Sequence, residues 1–167
     1  MNQPGCRTFR LLDPDGYQPR LTAVGDAAFA LPRPRNIRQP AANFYHLGDA
    51  FLVDAWMKAF LEQRSGAEFQ GTPAKLLRFD GVPFRDEYWI LKVLSRVPCM
   101  GPHMVIDERA VPPGLGIFAP EQFPDVLLIE QQFAQEMAHA CLGNGFWALK
   151  LDEDLQEQRG RLFLDER

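Results

Sequence analysis

The chain has 167 residues, 46% hydrophobic and 24% charged, which fits one globular domain and excludes wholesale disorder. Its net charge of −4 is unevenly spread, with +3 on residues 1–46, −1 on 47–119 and −6 on 120–167. No apolar run reaches the length of a membrane span, no signal sequence opens the chain, and no concentrated basic face offers to bind phosphate. Membrane insertion and direct nucleic-acid binding are therefore not expected.

Residues 1–46 are rich in breakers, including Pro14, Pro32, Pro34 and Pro40, each of which fixes its own φ and pushes the preceding residue toward extended conformations. They read as an irregular proline-rich arm packed on a core of 47–167, with short strands near Thr8–Leu12 and Tyr17–Thr22. From Phe51 the pattern sharpens. Phe51-Leu52-Val53 is an apolar run, Asp54 can cap a helix, and Val53, Trp56, Met57, Phe60 and Leu61 recur at helical spacing. Ser65-Gly66 stops that helix, Lys75–Phe79 reads as a strand and Asp80-Gly81 as a turn. Tyr88–Val97 reads as one central strand buried on both faces and ended by Pro98. The turn-rich PPGLG at 112–116 separates Met104–Ile106 from Ile117-Phe118.

The last segment repeats the design of the first. Val126–Ile129 is a strand, Glu130 stands at a helix start, and Gln131–Leu142 is a helix with Phe133, Met137, Ala140 and Cys141 on its apolar side. Gly143-Asn144-Gly145 ends it, and Phe146–Leu151 returns as a strand. Val53 matches Ile129, Asp54 matches Glu130, Met57 matches Phe133 and Leu61 matches Met137. The expected fold is α+β: a single domain with a mixed, mostly antiparallel sheet and two main helices, about 54–65 and 130–142, packed on it.

Signatures of chemistry are sparse. No phosphate loop ending in GK[ST], HExxH or CxxC occurs, so no cofactor or metal is expected. Three cysteines, Cys6, Cys99 and Cys141, suit free thiols in a reducing cytoplasm. Only Ser65 and Ser95 are serines, neither in GxSxG, which removes a large class of hydrolases. A Cys–His nucleophile could combine Cys99 or Cys141 with His46, His103 or His139, and a small enzyme built on Cys99, His103 and Asp107 is one rival reading. Adjacent acids such as Asp86-Glu87 and Asp107-Glu108 read as solvated groups. A structural or adaptor subunit using the proline-rich arm is a second rival.

The strand, acidic residue, amphipathic helix, glycine and phenylalanine at 52–69 and again at 127–147 resemble a group of bacterial immunity proteins encoded beside polymorphic secreted toxins. The EYWILKVLSRVPCM segment is similar to that family's long strand, through Tyr88, Val93-Leu94 and Cys99. Here Val53 and Ile129 stand where the family often has serine, and Met100 stands where it has an acid. The resemblance spans roughly residues 44–151. It implies a cytoplasmic, non-enzymatic antidote that binds one cognate toxin, and it carries over no catalytic residue. The acidic C-terminal third suits a basic target such as a nuclease toxin, with Asp152, Glu153, Asp154 and Glu157 as the expected contact residues and exposed aromatics or arginines as anchors.

Overall fold

A computed structural model of the protein describes residues 7–13, 21–33, 42–47, 50–99, 106–141 and 147–150, and the side chains of all these except 13 and 147–150. Eleven strands and two helices are defined among them. The strands are β1 (Phe9–Asp13), β2 (Thr22–Gly25), β3 (Ala28–Ala30), β4 (Phe44–His46), β5 (Ala50–Asp54), β6 (Phe69–Leu77), β7 (Tyr88–Val93), β8 (Arg96–Val97), β9 (Ile117–Pro120), β10 (Leu127–Glu130) and β11 (Trp147–Lys150). Helix α1 (Ala55–Arg64) follows β5 and helix α2 (Gln131–Ala140) follows β10. The α+β expectation is met, with two sheets rather than one. Their strand orders are β11-β1-β10-β9-β8 and β2-β3-β6-β7-β5-β4. Pairing is antiparallel except for β3 with β6 and β8 with β9.

Both helices begin where the sequence places them. The Asp54 carboxylate accepts a hydrogen bond from Met57 N–H at 2.8 Å, satisfying one orphan donor of the first turn of α1. Met57, Leu61, Phe133 and Met137, the apolar pairs four apart, are all buried. They meet Phe44, Phe51, Val53 and Leu91 from one sheet and Leu12, Ile117, Leu127 and Ile129 from the other in one central cluster. Alternate residues of the same strands point the other way: Leu11, Phe118 and Leu128 enter a second cluster, Tyr45, Leu52 and Tyr88 a third. This period of two, apolar on both faces, is why these strands read as continuous hydrophobic runs.

The repeat seen in sequence becomes a repeat of topology. In one unit β5, α1 and β6 form a strand–helix–strand in which β7 lies between the two strands and is antiparallel to both; β4 pairs with the outer side of β5. In the other, β10, α2 and β11 do the same around β1, and β9 takes the place of β4. The registers correspond. Phe44 opposes Val53 as Ile117 opposes Ile129, and Tyr88 opposes Asp54 as Phe9 opposes Glu130. Asp54 N–H donates to Asn43 O as Glu130 N–H donates to Gly116 O. The strand that fills the middle of the second unit comes from the N-terminal end of the chain.

The short strand expected near Thr8–Leu12 within 1–46 is present as β1. In the described part of 1–46, β1 is an interior strand, β4 pairs with β5, and β2 and β3 extend the second sheet beyond β6. Prolines and turns keep these strands short without excluding them from the sheets. Two tyrosines fasten the approach to β4: Ala42 N–H donates to the Tyr45 hydroxyl at 2.9 Å, and the Tyr88 hydroxyl donates to Ala42 O at 2.8 Å. Burial raises both phenols above their ordinary range, so they stay protonated.

The single strand expected over 88–97 is two strands. β7 ends at Val93, Leu94-Ser95 cross between the sheets, and β8 joins the other sheet beside β9. Nor is β7 buried throughout, since Lys92 is exposed and Trp89 and Ile90 half-buried. An apolar run looks alike whether one sheet or two receive it. The strand expected at 75–79 begins earlier, at Phe69, and ends at Leu77. Lys75 N–H bonds outward to Ala27 O and Glu68 O accepts from Leu94 N–H on the β7 side, so by alternation Pro73 turns its nitrogen to the outer edge. A missing donor does no harm to the ladder there, and it blunts an edge that carries no neighbour from Phe69 to Ala74 among the described residues.

Candidate interaction surface

The two described thiols are packed in the fold. Cys99 is 1% exposed, and its thiol is pushed up by burial and further by the nearby Asp107 charge. Asp107 accepts from Arg109 N–H at 3.1 Å, capping the short 3-10 turn Glu108–Ala110, and its own N–H donates to Cys99 O. Both effects, burial and the Asp107 charge, disfavour the thiolate form of Cys99. His103, the third member of that constellation, lies outside the described residues. Cys141 is the C-cap of α2 rather than part of the helix, and burial pushes its thiol up to about 12. His46 packs against Phe51 with ring centroids 5.4 Å apart at 50°, and His139 is exposed on α2. Among the described residues, no group of three His, Cys, Asp or Glu is arranged to hold a metal ion.

Arg7 is heavily bonded, and sequence reasoning missed it. Its guanidinium donates to the carbonyls of Val111, Pro112 and Leu115, stands 3.9 Å from Glu130 and lies over the Phe9 ring at 5.0 Å. It clamps the start of β1 to the loop before β9, a structural role without a motif. Asp54, the cap of α1, has its carboxyl raised by burial, with Asp86 adding repulsion against the opposing hydrogen bond from Met57. A carboxyl raised in the folded state favours folding most when protonated, and that contribution is lost as pH rises through the folded-state value. Asp54→Asn keeps the capping oxygen and removes the charge. It should therefore melt higher than wild type at pH 7, and the gap should close on acidification toward pH 4, read by thermal denaturation across that range.

With the interior accounted for, the surface draws attention at helix α1. Trp56, expected among its apolar core residues, is 57% exposed, the largest exposure of any big hydrophobic side chain described. Its ring stacks on Phe60 at 5.7 Å and 11°, and Phe60 stacks in turn on the buried Phe133 of α2 at 6.0 Å. Beside them Lys58 pairs with Glu62 at 2.8 Å and lies over the Trp89 ring at 5.0 Å. A second exposed apolar spot, Phe79 and Val82, sits at the turn after β6, with Arg33 over Phe79 at 6.0 Å. Asp152, Glu153, Asp154 and Glu157, the contact residues expected from sequence, lie outside the described residues.

No family model and no curated protein matches the chain. Among the described residues no helix is long and apolar enough to cross a membrane.

Proposed function

We propose that this protein is an immunity-type inhibitor that binds and neutralises a cognate secreted toxin by direct protein–protein contact. The observation that carries the reading is the division of labour just described. Both strand–helix modules on which the resemblance rests bury one helix face as scaffold, and the described thiols and the Asp107 carboxylate serve packing and capping, while Trp56 on the other side of α1 stands exposed. Binding by such a surface needs shape and side-chain anchors, not an activated nucleophile. The acidic C-terminal third favours a basic partner, such as a nuclease toxin, by steering its approach.

Co-expression with the product of the immediately neighbouring gene tests this directly. A stoichiometric complex that restores growth is the expected result. A neighbour that is harmless, or toxic without being bound or neutralised, would remove the reading. Within such a complex, replacing Asp152, Glu153, Asp154 and Glu157 together by alanine should slow association about tenfold or more at low salt while leaving the melting temperature unchanged. An unchanged association rate would discard the acidic cluster as a contact site.

A further inference from the structure

Strand β6 is longer than its outer neighbour. Its residues 68, 70, 72 and 74 turn their backbone groups to β7, so 69, 71, 73, 75 and 77 turn theirs outward. β3 takes up the outward groups only from Lys75 on, with Lys75 N–H donating to Ala27 O and Leu31 N–H to Leu77 O. Ala27, at φ +51°, lies in the turn that carries the chain out of that lane into the β2–β3 hairpin. Phe69 and Gly71 each leave an N–H and a C=O, and Pro73 a C=O, without a hydrogen-bond partner among the described residues. Edges that stay unpaired commonly carry charge, lysine above all. Here Phe69, Gln70, Gly71, Thr72, Pro73 and Ala74 are all uncharged. The charges around them stand at the ends (Glu68, Lys75), opposite Gln70 in β7 (Lys92) and on α1 beside Gly71 (Lys58, paired with Glu62). Pro73 blunts the edge only at its far end.

We propose that this edge pairs with the same edge of a second copy of the chain, antiparallel about a two-fold axis at Gln70. In that register Phe69 opposes Gly71 of the other copy, and each such pair exchanges both hydrogen bonds. Pro73 falls outside the exchange. A register centred on Gly71 would instead press the proline ring, where an N–H should be, against the Phe69 carbonyl of the other copy. The side chains agree with the first register. Phe69 lies across from the residue that has none, an aromatic over an edge glycine, on the face where Trp89, Leu91 and the Lys58 stem surround Gly71. Gln70 meets its own copy on the opposite face and Glu68 meets Thr72, so no like charges oppose each other. One such pairing consumes the edge, so assembly stops at two copies. The paired stretch is short beside the roughly 800 Å² per partner of a stable interface, so a reversible dimer with a dissociation constant of about 10–100 µM is expected. This contact is separate from the inhibitor reading, and no toxin enters its test.

Sedimentation of the full wild-type chain from about 5 to 500 µM should show a monomer–dimer equilibrium. A monomer throughout would overturn the proposal. Gln70→Cys sets two thiols across the axis in a non-hydrogen-bonded pair, with Cα atoms about 4.5 Å apart and within disulfide reach. Thr72→Cys sets them four residues apart along the strands, about 13 Å or more. Both are exposed positions, so both variants should melt within about 2 °C of wild type. Mild oxidation should trap Gln70→Cys as a covalent dimer at least about tenfold more than Thr72→Cys or wild type. Equal trapping of the two variants would overturn the register and the edge with it. Gln70→Lys needs no oxidation and sets like charges across the axis, which should weaken the reversible dimer about two- to fivefold. A wild-type dimer that Gln70→Lys leaves unchanged would place the contact elsewhere and overturn the proposal.

Discussion

Gly66→Ala should lower the stability of this protein by about 3 kcal/mol, some 6–12 °C in melting temperature for a chain of this size. Gly66 follows the C-cap of α1 at φ +69°, where L side chains are strained, and a Cβ there would run into the backbone carbonyl of Gly114. Backbone oxygen cannot swing aside as a side chain would. Ser65 and Gly116 are hydrogen-bonded immediately beyond it, so any shift propagates into the start of β9. Gly81 supplies the control, since it also has positive φ, +84°, but open space around its Cβ position. Gly81→Ala should therefore cost only the conformational part, about 1 kcal/mol. Equal losses at the two sites, measured by denaturant unfolding, would show that Gly114 yields freely.

Asn43→Asp should cost about 3 kcal/mol at neutral pH, because it replaces a buried donor to a helix-end carbonyl with a charged acceptor. Asn43 is 4% exposed, and its side-chain amide donates to Ala140 O at 2.9 Å, closing the last turn of α2. A carboxylate in its place would face a carbonyl oxygen at the negative end of the helix, without the donor that the amide supplied. Burial would raise that carboxyl in the folded protein, so the charged form penalises folding above the raised value. The penalty disappears as the group is protonated below it. The gap in melting temperature between Asn43→Asp and wild type should thus narrow from pH 7 to pH 4. A constant gap would mean that the new side chain has turned to water.

These two sites are the same joint made twice. Gly116 N–H bonds the carbonyl of Ser65 at the end of α1, and the Asn43 side chain bonds the carbonyl of Ala140 at the end of α2. Each lies just before the outer strand of the opposite unit, so each helix is closed by the unit it does not belong to.

The sequence alone determined what depends on neighbours a few residues away. Asp54 as a cap, Met57 with Leu61, Phe133 with Met137, and the matching of the two strand–helix modules all follow from spacing that any local backbone must obey. The α+β class followed from those elements. Only the tertiary structure decided which strands meet. Phe9–Asp13 is short and apolar, a pattern compatible with any edge, and its place between β10 and β11 depends on partners at the other end of the chain. The same holds for the break at Leu94-Ser95, where one apolar run serves two sheets. Trp56 makes the point most sharply for function. It sits beside Met57 in the same apolar pattern, and one is 57% exposed while the other is fully buried. One residue turns a helix by about 100°, and what occupies the space in that direction is set by packing from distant strands, which no local spacing records.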